Sequence, residues 1–274
     1  MDIVDRTAVI EALSMASSKN VCDLDIAKSA IYDLPTVTGK CPLKKYDIVY
    51  RLKADIDSEE LKYSIRSVVE NLSYNRIVFY CGCPADIKPD IYVPFEQTGN
   101  GKLEKSRSTF SAIMNNDELT EDIWLFNDDF FIMKPLCSEK TICNGTLYSV
   151  IQTIENSRTK ASRYTRKLRE TALYLQGMGL DTISYESHTP MLINRKKAQY
   201  ILDNFPSTTA FRSSYGNYYG IEGQLRPDIK VSKDEQAFDE DSDLLSTNDK
   251  TFAESRIGSF IRSCFPNKSK YEVK

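Results

Sequence analysis

Long hydrophobic runs are missing from this chain. No stretch approaches the roughly 18 to 20 consecutive apolar residues that span a bilayer, and the N-terminus Met1-Asp2-Ile3-Val4-Asp5-Arg6 lacks a basic region followed by an apolar segment. The sequence therefore predicts a soluble, unsecreted, cytoplasmic protein with no membrane insertion. Excess positive charge is missing too: 36 Lys and Arg face 39 Asp and Glu, a net charge of −3. No overall basic field draws such a chain to nucleic acid or acidic lipid, so any such contact needs a local patch. Histidine occurs once, at His188, and neither it nor Cys137 and Cys143 supplies the second pair that would make Cys81-Gly82-Cys83 half of a zinc site. An odd count of 7 cysteines without a secretory leader predicts reduced thiols. Internal repeats and low-complexity tracts are also absent.

What is present is ordinary globular composition, 41% hydrophobic and 27% charged over 274 residues, which predicts one main domain. Helical spacing over 3–16 and 23–33, then two prolines and a glycine before Lys45, predicts a small N-terminal helical segment and linker over residues 1–44. Such a pair of helices is either a cap on the main domain or a helix-turn-helix; its acids Asp2, Asp5, Glu11, Asp23 and Asp25 argue against a DNA-reading surface.

From residue 45 to 274 the rhythm changes. Tyr46 to Leu52 reads as a strand, Ser58 as the N-cap of a helix reaching Leu72, and Arg76 to Cys81 and Ile91 to Val93 as further strands. A helix from Lys102 to Asn115 then leads into a strand over 122–133. That order predicts an α/β fold with a mostly parallel central sheet flanked by helices. Leu147 to Gln176 reads as one long helix or two, with a basic middle at Arg158, Lys160, Arg163, Arg166, Lys167 and Arg169. This basic stretch is either a solvated helix face or a contact for the phosphates of a donor or a polyanionic acceptor. Arg195 to Asn204 and Ile257 to Phe265 read as short helices, and acidic Asp234 to Asp243 as a mobile loop.

Asn127-Asp128-Asp129 sets two adjacent carboxylates at the end of the apolar run Ile123-Trp124-Leu125-Phe126. Buried carboxylates persist only if a cation, a donor network or a substrate compensates their desolvation. A divalent metal holding a diphosphate is the most economical compensation; the structural reading has the acids capping a helix or pairing with Lys134. Ligands of parallel sheets bind at the carboxyl ends of strands, where this pair falls. His188, in the polar loop Glu186-Ser187-His188-Thr189-Pro190, is either a positioned base or incidental.

Set in order, these segments resemble the Stealth family of sugar-phosphate transferases. Asp47-Ile48-Val49-Tyr50 looks like that family's opening strand, although Arg51-Leu52-Lys53-Ala54-Asp55 stands where members carry Thr-Trp-Val-Asp-Gly. Glu60-Leu61-Lys62-Tyr63-Ser64-Ile65-Arg66-Ser67-Val68 is similar to their Glu-Leu-Arg-Tyr-Ser-Leu-Arg-Ser-Ile, and Leu125-Phe126-Asn127-Asp128-Asp129-Phe130-Phe131 matches their second block nearly residue for residue. His188, Pro190, Phe205-Pro206 and Arg212 fit the third block; Asn248-Asp249 with Phe265-Pro266-Asn267-Lys268-Ser269-Lys270-Tyr271-Glu272 fit the fourth.

The resemblance implies a GT-A-like catalytic domain over 45–274 that binds a nucleotide-sugar donor, a UDP-sugar in relatives, and transfers a sugar 1-phosphate to a hydroxyl of a glycan or polymer. It implies Mg²⁺ or Mn²⁺ on Asp128 and Asp129, with Asp129, His188 and Arg212 catalytic: His188 as base, Arg212 as phosphate clamp. Asp47, Arg66, Asn127, Asn248 and Asp249 would bind substrate, Arg66 alternatively orienting its helix. The departure at Arg51 means the donor's base or sugar does not carry over. The same architecture also serves glycosyl transfer to a glycan or to a hydroxylated base in DNA, the one way nucleic acid would enter, as acceptor. A catalytically inactive module that binds nucleotide or glycan is the reading from another class.

Overall fold

Period-two alternation in a strand buried on both faces places β1 (Tyr46–Arg51) at the centre of the fold: Ile48 and Tyr50 enter one core and Val49 the other, all without exposed surface. It pairs in parallel with β2 (Tyr74–Tyr80) on one side and β4 (Asp122–Phe126) on the other, and β3 (Ile91–Val93) extends the sheet from β2, again in parallel. β7 (Met191–Asn194) closes the far edge antiparallel to β4. The order β3-β2-β1-β4-β7 is the mostly parallel sheet that the alternating pattern predicts. The structure, a computed structural model, describes residues 40, 41, 43–156 and 162–273, which fall in one compact unit, Gly39–Lys274. The helices expected at 3–16 and 23–33, and basic Arg158 and Lys160, lie outside the described residues. Among the described residues no helix is long and apolar enough to cross a membrane.

Helices cover both faces. α1 (Glu59–Asn71) lays Leu61, Ile65 and Val68, spaced for one stripe, against Ile48, Tyr50, Trp124 and Phe126. Ser58 does stand at its N-cap, but the Ser58 hydroxyl makes no capping hydrogen bond. On the opposite face lie Ile113 and Met114 of α2 (Lys102–Met114) and Ala198, Ile201 and Leu202 of α5 (Arg195–Asn204). Between these, the long helical stretch is two helices, α3 (Leu147–Asn156) and α4 (Arg163–Gly177). The chain ends with α6 (Phe211–Tyr218), α7 (Asp249–Glu254) and α8 (Arg256–Cys264). Gly82 is a steric requirement: a Cβ there would lie 1.8 Å from the Lys53 carbonyl oxygen, so only glycine lets the turn after β2 pass against the loop after β1.

Two sequence expectations need correction. The strand expected over 122–133 breaks at 127–129, because its continuation would send one aspartate into each buried face; β5 (Phe130–Ile132) instead pairs antiparallel with β9 (Leu244–Ser246). The cysteines are not all reduced. Cys41 and Cys137 form a disulfide with Cα atoms 5.1 Å apart. Its cause is local geometry at the end of α1: Ser73 donates to the Cys41 carbonyl at 2.7 Å, and the Leu136 N–H donates to the Asn71 carbonyl at 2.9 Å, so two segments 96 residues apart meet there. Cys81, Cys83, Cys143 and Cys264 are free. A further small sheet pairs β6 (Thr141–Cys143) in parallel with β8 (Gly223–Leu225).

The winding fixes where ligands go. From β1 the chain moves outward through β2 and β3, then returns to lay β4 on the other side of β1. Sheets wound this way take ligands in the crevice outside the carboxyl ends of the strands where the direction reverses, here the ends of β1 and β4.

Candidate functional site

β4 delivers Asn127, Asp128 and Asp129 to that crevice. Burial, then the neighbouring Asp129 charge, push the Asp128 carboxyl above the ordinary aspartate range. Asp129 Oδ2 accepts from Lys230 Nζ at 2.6 Å, while its Oδ1 is buried with no partner. An orphaned buried carboxylate oxygen is an open coordination or donor position. From the first turn of α1, Glu60 joins the acids: it accepts from the Thr247 hydroxyl and hydrogen-bonds Asp249. Its carboxyl is pushed up to about 8, first by burial, then by its bond to Asp249 and the charges of Asp129 and Asp249, against the Thr247 bond. Glu60 therefore holds its proton at neutral pH.

The histidine end is built from another part of the chain. His188 Nδ1 lies 2.7 Å from Asp228 Oδ2, and the His188 N–H donates to Asp228 Oδ1 at 3.3 Å. Burial would raise the Asp228 carboxyl, but the bond and charge of His188 outweigh it and hold Asp228 below the ordinary range. An ionised Asp228 accepts a hydrogen bond from Nδ1–H, which favours the tautomer that leaves Nε2 with its lone pair. The loop cannot swing: Ser187 donates to the Ile142 carbonyl at 3.2 Å, and Glu186 accepts from the Ser213 N–H at 3.0 Å.

Lys230 joins the two ends. Its N–H donates to Asp228 Oδ1 at 3.4 Å while its Nζ holds Asp129, so one polar chain runs from the acid pair to the imidazole. The small sheets make this register. Arg226, next to β8, donates its N–H to the Cys143 carbonyl at 2.9 Å, and the Val231 N–H donates to Ser246 of β9 at 2.8 Å. β9 also sets Thr247, whose N–H reaches the Asp129 carbonyl at 3.4 Å.

Not every expected residue belongs here. Asp47 is fully buried at the amino end of β1, about 13 Å along the strand from its carboxyl end, where Arg76 at 2.6 Å, Asn75 at 2.8 Å and the Thr120 N–H at 3.0 Å satisfy it. It is a structural acid. Arg66 grips Glu272 with two bonds, 2.8 and 2.6 Å, and the Phe265 carbonyl at 2.9 Å, tying α1 to the C-terminal segment rather than to a donor. Arg212 donates to the Ser187 and Thr189 carbonyls at 2.7 and 2.8 Å, on either side of His188, so it frames the histidine loop. Asn248 caps α7, accepting from the Thr251 N–H at 2.9 Å and donating to the Ser232 carbonyl at 3.2 Å. Asp249 does face the acids, through Glu60. Lys134, the structural partner considered for the acid pair, pairs with Asp241 instead.

Sequence reasoning missed Glu60 as a site acid, Asp228, and Lys230. Glu60 looks like any early helix acid, and Asp228 and Lys230 sit in a loop without periodicity. One cavity of about 480 Å³ is lined by Asp228 and abuts the histidine end, and another of about 360 Å³ lies around Arg195 and Tyr200, where β7 and the amino end of β4 meet. The convergence of unsatisfied polar groups, not cavity size, locates the site.

The donor set suits a hard divalent ion: Asp129 Oδ1 is orphaned, and the Asp128 carboxyl is bonded to its own backbone N–H but to no other side chain among the described residues. Among the described residues no three acidic, histidine or cysteine groups are arranged to hold an ion by themselves. Mg²⁺ sites commonly combine one or two carboxylates with substrate phosphates, so two aspartates suffice. The chain matches no family model and no curated protein.

Proposed function

We propose that this chain is a metal-dependent transferase that takes a nucleotide-sugar donor on a GT-A-like domain and transfers a sugar 1-phosphate to a hydroxyl of a glycan or polymer. The observation that carries the reading is the polar chain Asp129, Lys230, Asp228, His188, lodged where the sheet changes direction. Its residues divide the work. Asp228 holds the imidazole so that Nε2 accepts the proton of the acceptor hydroxyl as that oxygen bonds the sugar-linked phosphorus. The bond from this phosphorus to the bridging oxygen breaks, and UMP departs with the electron pair. Arg212 keeps the histidine loop in place, and Lys230 keeps Asp129 aimed. The Asn127 amide, with no hydrogen bond among the described residues, is available to substrate. Mg²⁺ or Mn²⁺, held by Asp128 and Asp129, would neutralise the charge on the diphosphate.

A specific observation supports an anionic acceptor. Tyr164, at the start of α4, lies close enough to Glu186, Asp228 and Arg212 to feel their charges, and Arg163 and Arg166 are exposed in the same turn of that helix. Phosphorylated polymers and a hydroxylated base in DNA both suit that entrance.

Incubation with Mg²⁺ or Mn²⁺, a panel of nucleotide sugars and hydroxyl acceptors, with mass detection of nucleotide products, tests the reading. UMP release supports sugar-phosphate transfer, and UDP release replaces it with glycosyl transfer. Loss of neither from any donor overturns both.

A further inference from the structure

Arg51, the last residue of β1, carries a guanidinium that no ion pair neutralises among the described residues. Tyr50 pairs with Phe126 in the parallel ladder, so Arg51, still paired with Tyr80 of β2, stands beside Asn127 at the carboxyl end of β1. Alternation turns its side chain to the face of Val49 and α2, where its guanidinium carbon lies 5.0 Å from the Phe110 ring centroid. The Nε is buried with no acceptor, and the guanidinium makes no hydrogen bond or ion pair among the described residues. Asp128 and Asp129 are felt electrostatically but not contacted, and burial, the dominant influence, disfavours its charged form.

An unpaired cation in such a setting destabilises the empty protein. A side chain needed only to cover Phe110 would do so better uncharged. Across two adjacent strand ends the crevice thus presents, among the described residues, an unpaired guanidinium on the β1 side and, on the β4 side, the Asp128 carboxyl, bonded only to its own backbone N–H, with the partnerless Oδ1 of Asp129. A ligand that brings both an anion and a cation satisfies the two at once. Contact with the Phe110 ring holds the guanidinium in place, and its planar fork suits the paired oxygens of a phosphate in a way lysine does not reproduce.

We propose that Arg51 is an anion subsite of the crevice, receiving a phosphate of the diphosphate-bearing ligand and setting specificity for phosphorylated donors. The inference rests on the transferase reading for the identity of that ligand, and assigns a residue to recognise it. Its test separates the two. Titration calorimetry of the full chain with inorganic pyrophosphate in Mg²⁺ compares wild type, Arg51→Met and Arg51→Lys, and thermal melting of the ligand-free proteins reports folding.

Arg51→Met is expected to bind pyrophosphate at least about tenfold more weakly, the loss of one charge-assisted hydrogen bond, and to melt above wild type when free. Arg51→Lys recovers part of the affinity. Equal affinity in wild type and Arg51→Met, no binding by wild type, or an Arg51→Met protein that melts below wild type overturns the assignment. Arg51-dependent pyrophosphate binding without turnover of any nucleotide sugar sinks the transferase reading and leaves the subsite standing. Turnover by Arg51→Met at the wild-type donor KM does the reverse.

Discussion

His188 and Asp228, 40 residues apart, meet with Nδ1 at 2.7 Å from Oδ2, and this contact decides which imidazole nitrogen is free to take a proton. Asp228→Asn keeps the size of the side chain but lets the amide present a donor, favouring the wrong tautomer. Turnover is expected to fall by about 10²- to 10⁴-fold, with a far-ultraviolet spectrum like that of wild type. His188→Ala lowers it as far, and the double variant lowers it little further, because the two act as one unit. Steady-state kinetics on the four proteins check this, and additive losses would break the pair into independent contributors.

Glu60 should make stability fall with rising pH. Unfolded, it titrates in the ordinary glutamate range; folded, at about 8. Between those values the folded state holds a proton that the unfolded chain has lost, so Glu60's contribution is complete at acid pH and is lost as pH rises through 8. Glu60→Gln has no such proton. Melting curves from about pH 5 to about pH 9 should show the variant gaining on wild type toward the alkaline end, at about 2–4 °C per kcal/mol for a domain of this size. Parallel curves would contradict the assignment.

Arg66 is predicted to matter for folding and not for chemistry. It and Glu272 are both buried, 7% and 5% exposed as side chains, and the bridge is double. Arg66→Ala leaves Glu272 without its countercharge and should cost about 3–5 kcal/mol. Urea denaturation measures that loss. Donor KM in the folded fraction should not move, and a selective rise in KM would return Arg66 to the binding site.

The Cys41–Cys137 bond predicts a redox-dependent melting temperature. Closing a separation of 96 residues restricts the unfolded chain, by about 4.7 kcal/mol in the loop-entropy account. Dithiothreitol or Cys137→Ser should lower the melting temperature by several degrees, and non-reducing peptide mapping should recover the Cys41 and Cys137 peptides as one mass. A map with both thiols free would exclude the bridge.

Legibility in the sequence followed range. Asp128 and Asp129 stood out because charge at the end of an apolar run is costly wherever the chain folds, and Ile48, Leu61 and Ile65 announced sheet and helix by their spacing alone. The strand break at 127–129 was hidden, since apolar residues lie on both sides of the acids and short apolar runs have no decisive period. Asp228 and Lys230 were invisible for another reason: their partners are fixed by the ladders β6·β8 and β5·β9, whose registers no local pattern encodes. The helix cap at Asn248 has a local sign, because Thr251 three residues on has the spacing of a reciprocal cap. Cys41 and Cys137 offered no sign at all.

The two short ladders have a consequence for biogenesis. By the time a ribosome has released Asn194, all five strands of the large sheet are available, yet Asp228, Lys230 and the Leu244–Ser246 strand have still to be made. A growing polypeptide at that stage owns the acid pair and the imidazole without the contacts that orient either. Competence then arrives late, when the final segments dock over long sequence distances.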